Sequence, residues 1–155
     1  MMEHDLIDIK LIKQKIQHYC SIQERCRFQV IKKLHTFGAV SSQVSDVLVE
    51  LQQDNFLNEE RFARSFCSGK FKINKWGKKK IAFELSKLQI SKHYIRKGMT
   101  EIDEKDYFFV LTELAKKKYN SLSGTDRFAN KKKVANYLSS KGFESELIWT
   151  YVNQL

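Results

Sequence analysis

The residues of this sequence that are best suited to chemistry are basic, and they crowd into one stretch of the chain. Residues 61–83 contain eight lysines and arginines and not one aspartate or glutamate. Phe71 and Trp76 are interspersed among these bases, and Gly69 and Gly77 indicate a loop. Basic groups neutralise phosphates and aromatic rings stack on bases or side chains, so the stretch predicts a polyanion-binding surface. Its bases are Arg61, Arg64, Lys70, Lys72, Lys75, Lys78, Lys79 and Lys80.

A plainer interpretation of the same stretch is a solvated lysine loop with Trp76 packed into the core. A second basic group, in the last third of the chain, is expected on two helices that lie side by side. Glu113 and Asp126 are close to it, and lysine is abundant throughout, so an ordinary solvated surface is the preferred interpretation there. This group comprises Lys116, Lys117, Lys118, Arg127, Lys131, Lys132 and Lys133.

No constellation of residues points to catalysis or to metal binding. The four histidines are scattered, and the chain has no HExxH, no GxxxxGK[ST], no GxGxxG and no GxSxG motif. His18, Cys20 and Cys26 do not have the spacing of a standard zinc site. Glu59 and Glu60 adjoin a predicted helix start, where carboxylates complement the helix dipole. The sequence therefore predicts no enzymatic activity, no metal site and no cofactor.

The composition predicts an all-helical protein with a basic surface. The 155 residues are 42% hydrophobic, which is enough to build a core, and they include no proline and only six glycines. A net charge of +10 predicts attraction to nucleic acid or to an acidic protein face.

Two features bear on the cellular location. The three cysteines form no CxxC pair, and their odd number argues against a disulfide framework, which predicts a reducing cytoplasm. The N-terminal segment is acidic and lacks a long apolar core, so we expect neither a signal peptide nor a membrane span.

A motif recurs three times along the chain. Residues 30–34, 81–85 and 134–138 each begin with a β-branched residue and end four positions later in leucine, at intervals of 51 and 53 residues. Four residues beyond each leucine comes Gly38, Gln89 or Gly142, and an apolar residue follows. Glycine suits the left-handed position that closes a helix, whereas Gln89 would lose about 1 kcal/mol there or end its helix differently.

This period predicts three tandem three-helix repeats, at residues 1–55, 56–101 and 102–155, in an elongated arrangement with room for curvature. Asn58, Ser91 and Asp103 are expected N-caps, each between two apolar residues that can pack on one another, whereas Glu144 is a poorer cap. Apolar periodicity places the nine helices near residues 5–20, 24–37, 42–53, 59–69, 77–88, 92–99, 104–119, 126–141 and 145–154.

The middle of the chain resembles the central signature of the RecX family. The resemblance lies in LNEERFARSF at residues 57–66, KWG at 75–77 and IAFEL at 81–85, and it continues more weakly through 127–128, 134–138 and 142–143. The first repeat fits through its pattern alone. The chain departs from the family where Glu60 replaces a frequent aspartate and Gln89 a frequent glycine.

The resemblance implies a cytoplasmic, non-enzymatic regulator that binds RecA filaments and limits ATP turnover and strand exchange. We further expect a monomer whose basic surface lies along the filament and also touches the DNA phosphates within it. Phe62, Ala63, Phe66 and Leu85 are interpreted as packing residues, and Arg61 either pairs with an acid or faces the partner. The predicted contact residues are Arg61, Arg64, Lys70, Lys72, Lys75, Trp76, Lys78, Lys79, Lys80, Arg127, Lys131 and Lys132.

The alternative is a helix-turn-helix module that inserts one helix into the major groove of duplex DNA. Such a recognition helix would be rich in arginine, asparagine or glutamine. The candidate segments, residues 42–53 and 92–99, show no such concentration.

Overall fold

A computed structural model describes the backbone of residues 2–155 and the side chains of residues 8–155. Over that range the secondary structure is entirely helical, which confirms the predicted fold class, and each predicted helix end lies within three residues of the observed one. The helices are α1 (Met2–Ile22), α2 (Arg27–Thr36), α3 (Ser41–Gln53), α4 (Glu59–Lys72), α5 (Lys78–Lys87), α6 (Lys92–Met99), α7 (Glu104–Ser121), α8 (Arg127–Ser140) and α9 (Ser145–Val152).

The helices pack as three successive triplets, which we call unit 1 (α1–α3), unit 2 (α4–α6) and unit 3 (α7–α9). Within unit 2 the closest approach is between α4 and α6, where Gly98 lies against the backbone of Ala63 and the sulfur of Cys67. The predicted N-caps Asn58, Ser91 and Asp103 are confirmed, since each side chain accepts a hydrogen bond from a backbone N–H three residues on.

The hydrophobic core is divided unequally among the units. Unit 1 has a core of its own, to which Leu57 from the start of unit 2 contributes. Units 2 and 3 share one continuous core, and Cys26 at the start of α2 belongs to it. The accessible surface of 9969 Å² exceeds the value of about 8,100 Å² expected for a compact protein of 18.3 kDa, in keeping with the elongated arrangement that the repeat predicts.

The middle helix of every unit ends in the same hydrogen-bonded turn. In unit 1 the N–H groups of Gly38 and Ala39 donate to the carbonyls of His35 and Leu34, both at 3.0 Å. This is the Schellman pattern. In all three units the carbonyl of the repeated leucine accepts the hydrogen bond from the N–H group five residues later. Gly38 and Gly142 have φ values of 95° and 98°, and Gln89 adopts the same left-handed region at 61°. The turn is therefore kept in unit 2 although its residue is not glycine.

We predict that Gln89→Gly raises the free energy of unfolding by roughly 0.5–1 kcal/mol, because glycine enters the left-handed region without steric strain. The same change at Gln14, which is exposed inside α1, should instead cost about 1 kcal/mol. Urea denaturation of both variants measures this. A loss of stability in Gln89→Gly would show that its side chain makes up for the strained backbone.

Units 2 and 3 meet through backbone at two glycines. The N–H groups of Gly77 and Lys79, at the start of α5, donate to the carbonyls of Lys141 and Gly142 at 2.8 and 3.0 Å. A methyl group on Gly77 would lie 2.2 Å from the carbonyl carbon of Gly142. Any side chain at position 77 would therefore force the two units apart.

We predict that Gly77→Ala lowers the free energy of unfolding by about 2–3 kcal/mol through this overlap. Gly69 is the matched control, since it lies inside α4 with nothing within 4 Å of an added methyl group. Gly69→Ala should gain about 0.5–1 kcal/mol from helix propensity alone. Chemical denaturation distinguishes the two, and equal effects at both positions would contradict the close joint.

Candidate functional site

The predicted basic loop is the turn between α4 and α5. Lys75 takes a left-handed backbone conformation there, with φ at 56°. Its N–H donates to the carbonyl of Phe71 at 3.0 Å, and the N–H of Trp76 donates to that of Lys70 at 3.1 Å. A lysine in this region is less stable than glycine by about 1 kcal/mol, so the hydrogen bonds and surrounding packing hold the loop in one shape.

Trp76 is half-buried, and two lysines flank its ring. The ring packs against the core that units 2 and 3 share. The ammonium groups of Lys70 and Lys80 lie 5.0 and 4.7 Å from its centroid, within the range of cation–π attraction. The tryptophan therefore contacts the core and also takes part in the basic surface, combining features of the two interpretations of this loop.

A fourth lysine, which the sequence does not single out, joins this group from unit 3. The Lys141 ammonium donates to the carbonyl of Asn74 at 2.9 Å. Partial burial lowers the pKa of Lys141, and the nearby charges of Lys80 and Lys75 lower it further. We call Lys70, Lys75, Lys80 and Lys141 the lysine cluster. Lys141 lies 61 positions beyond Lys80 in the sequence, so no local pattern links the two.

Lysines of α7 adjoin the lysine cluster, so the α7 part of the second predicted basic group meets the first group. A groove of about 360 Å³ is lined by Lys75 and, from α7, by Phe109, Leu114, Lys117 and the acidic Glu113. Lys75 and Lys117 also line an adjoining groove of about 300 Å³ with Lys118. The basic surface therefore extends from the loop of unit 2 to Lys117 and Lys118 in the second half of α7.

The bases on α8 occupy a different place. Arg127 and Lys132 are exposed in the first half of the helix, and the Lys131 ammonium lies 3.4 Å from the carbonyl of Asn153 after α9. Lys141 directly follows the last turn of α8, so about 20 Å of helix separates it from Arg127. The structure does not bring these three predicted contact residues together with the lysine cluster.

Arg61 forms an ion pair, one of the two roles considered for it. Its Nε donates to Glu24 at 2.7 Å, and its other nitrogens donate to the side-chain and backbone oxygens of Asn55, both at 3.0 Å. Glu24 lies between α1 and α2, and Asn55 follows α3, so Arg61 helps to attach unit 1 to unit 2.

Two more predicted contact residues are already paired with acids. Arg64 donates to Glu60 at 3.2 Å and to Glu101 at 3.1 Å, and these partners raise its pKa further. Lys78 pairs with Glu104 and lies 4.7 Å from the ring centroid of Tyr107. Among the described side chains, no acid pairs with a lysine of the cluster, so the charges of the cluster are more available to a partner.

The hydroxyl group of Tyr107 holds the start of α5 in place by hydrogen bonding. This hydroxyl accepts the N–H of Lys78 at 2.9 Å and donates to the carboxylate of Glu144. Burial raises the pKa of Tyr107 far above its usual range, and the hydrogen bond to Glu144 adds to the effect. The hydroxyl thus stays protonated and links α5 to the start of α9.

The cysteines show no sign of a reactive or metal-binding role. Cys20 lies in the core of unit 1, whereas Cys26 lies in the core of units 2 and 3, so the two thiols have different surroundings. Burial raises the pKa of all three thiols, that of Cys67 to about 12. Among the residues whose side chains the structure describes, no three metal-ligating groups come together.

Comparison with known families identifies the repeats. A model described as the second three-helix domain of RecX matches residues 58–99, and one described as the third three-helix domain matches residues 105–152. The two matches together cover more than half of the chain. The chain belongs to the RecX family.

Its relatives are named as regulatory proteins. "Regulatory protein RecX" of Clostridium botulinum (strain Eklund 17B / Type B) is 30% identical over 128 residues, 81% of this chain but only 59% of the relative. The protein of the same name from Clostridium perfringens (strain SM101 / Type A) is 23% identical over 171 aligned residues, 100% of this chain and 79% of the relative. The crystal structure of RecX from Lactobacillus salivarius has the same fold, with a TM-score of 0.86, 24% identity and 97% coverage of both chains.

The RecX signature has mainly a structural role in this chain. Phe62, Ala63 and Leu85 are buried, and Phe66 packs on them from the edge of the core, as the sequence predicts. The KWG segment ends at Gly77, where unit 3 touches unit 2. In the part of the chain from residue 2 onward, no helix has the length and apolar character needed to cross a membrane.

We predict that Tyr107→Phe lowers the free energy of unfolding by about 1–3 kcal/mol, because the Lys78 N–H and the Glu144 carboxylate would both lose their partner. Tyr119→Phe is the control, since the Tyr119 side chain makes no hydrogen bond among the described residues. Thermal and chemical denaturation measure both variants. Equal stability of the two would mean that water replaces the Tyr107 hydroxyl at no cost.

Proposed function

We propose that this RecX family member binds the filament of a RecA-type recombinase on DNA and, mainly by inhibition, modulates its ATP turnover and strand exchange. It would thereby regulate DNA repair and recombination, as a cytoplasmic monomer that catalyses no reaction itself. The observation that carries the proposal is the basic surface formed by the lysine cluster and Lys117 of α7, in a chain of a regulatory family.

The charge on this surface is available for binding. None of the lysines of the cluster, nor Lys72 or Lys117, has a carboxylate within 4.0 Å among the described side chains. A polyanion that replaces the counterions around them gains free energy from their release, and this gain falls as salt rises. A filament of protein and DNA offers such a polyanion along its length.

Binding alone does not inhibit. A ligand shifts an equilibrium only by its difference in affinity for the two states, so this chain must prefer an inactive or disassembling form of the filament. The elongated stack of units suits such a role because it can contact several subunits of a polymer at once.

The test is to add the purified chain to recombinase assembled on single-stranded DNA and to follow ATP turnover and filament length. We expect both to fall in a saturable manner as the chain is added. No change at saturating protein would reject the regulatory proposal.

The helix-turn-helix alternative has less support. In α3 the Gln43 side chain is engaged by the backbone N–H of Val40, and in α6 Lys97 pairs with Glu60. These two polar side chains are therefore not free to read bases, whereas Lys92 and Arg96 of α6 are exposed. Tight binding to duplex DNA at one sequence would nevertheless favour that alternative.

We predict that the triple variant Lys70→Glu, Lys72→Glu and Lys75→Glu weakens inhibition of the filament at least tenfold and flattens its salt dependence, because charges that face the polyanion are reversed. The matched control reverses three exposed lysines away from this surface and should inhibit like the parent chain. These control residues are Lys10 and Lys15 on α1 and Lys92 on α6. Equal losses in both triple variants would mean that only net charge matters.

A further inference from the structure

We propose that Lys75 and Lys80 of unit 2 and Lys141 of unit 3 form one phosphate-binding site, and that the bound phosphate ties the two units together. The ligand chemistry is that of phosphate oxygens, supplied either by a nucleic-acid strand or by a free polyphosphate. This inference goes beyond the proposed function, because it requires no recombinase.

The first support is geometric. Lys80 lies beside Gly142, whose added methyl group would come within 2.3 Å of the Lys80 Cβ atom. Lys141 is the preceding residue, and its ammonium reaches back to the carbonyl of Asn74, next to Lys75. The stems of the three lysines thus start from backbone segments that touch one another.

The second support is electrostatic. Lys80 and Lys75 are the charges that act on the partly buried Lys141, and they act by repulsion. The Lys141 ammonium donates to the uncharged carbonyl of Asn74 and has no carboxylate within 4.0 Å among the described side chains. Three like charges without an acid among them are destabilising, and an anion between them reverses the sign of the interaction.

The third support is the backbone of Lys75. This residue holds a left-handed conformation that glycine would adopt without strain. Strained residues persist where the surroundings fix them, and they cluster at binding sites. Here the conformation places a lysine side chain at the grooves that it shares with Lys117.

Because the site lies at the joint between units 2 and 3, a bound phosphate would also hold the two units together. The lysines come from both sides of the joint at which Gly77 donates to the Lys141 carbonyl. A phosphate held by all three adds a link between unit 2 and unit 3. Since the unfolded chain has no such arrangement, binding must also raise the melting temperature.

Trp76 reports on the site directly, because the Lys80 ammonium lies 4.7 Å from its ring centroid. The chain has two tryptophans, so the variant Trp149→Phe isolates this signal. In that background, the full chain is titrated with sodium tripolyphosphate and, separately, with an oligothymidylate strand. We expect a saturable change in Trp76 fluorescence and a higher melting temperature.

In the same background, Lys141→Gln should weaken tripolyphosphate binding about tenfold, equivalent to about 1.4 kcal/mol. Lys80→Gln, a second variant that leaves the Asn74 contact intact, should also weaken it, whereas Lys92→Gln, on exposed surface, should bind like the parent. Circular dichroism checks that each variant is folded.

The proposal is overturned if neither ligand gives a saturable signal, or if folded Lys141→Gln and Lys80→Gln bind as tightly as the parent. Binding of the strand as well as tripolyphosphate assigns the site to nucleic acid, and binding of tripolyphosphate alone assigns it to free polyphosphate, so either result supports a phosphate site. Because no recombinase is present, these results are independent of whether the chain inhibits a filament.

Discussion

Helix α5 begins at the joint between units 2 and 3, where the N–H groups of Gly77, Lys78 and Lys79 have no partner within unit 2. Unit 3 supplies all three partners: Lys141 and Gly142 through their carbonyls and Tyr107 through its hydroxyl. An unpaired buried N–H costs about 1–3 kcal/mol, so the two units are each incomplete without the other. Two glycines allow this contact because no side chain separates the backbones.

The basic surface exists as a consequence of that joint. Three lysines of the cluster belong to unit 2, and the fourth, Lys141, belongs to unit 3. Unit 1 is attached by the buried Cys26 and Leu57 and by side-chain polar contacts. Arg61 reaches Glu24 and Asn55, and Glu59 accepts the N–H of Arg27. The second oxygen of Glu59 is buried without a hydrogen-bond partner, which makes this connection less complete than the one between units 2 and 3.

The sequence predicts the helices and turns well because their signals are local. A repeated leucine and the residue four positions later define each Schellman turn, even where Gln89 replaces glycine. The joint and the charge pairing are not local. Gly77 and Gly142 are 65 positions apart, and Arg64 and Lys78 are neutralised by Glu101 and Glu104, which lie outside the acid-free stretch. An acid-free stretch of sequence therefore suggests more unpaired basic side chains than the folded chain has, because acids from elsewhere in the sequence pair with some of them.

The most direct test of the account is hydrogen–deuterium exchange of the chain alone and bound to recombinase filaments on single-stranded DNA. The account predicts that protection concentrates in residues 69–80 and 137–142, with a smaller effect on α7 near Lys117. Protection confined to unit 1, with these segments exchanging as in the free chain, would contradict it.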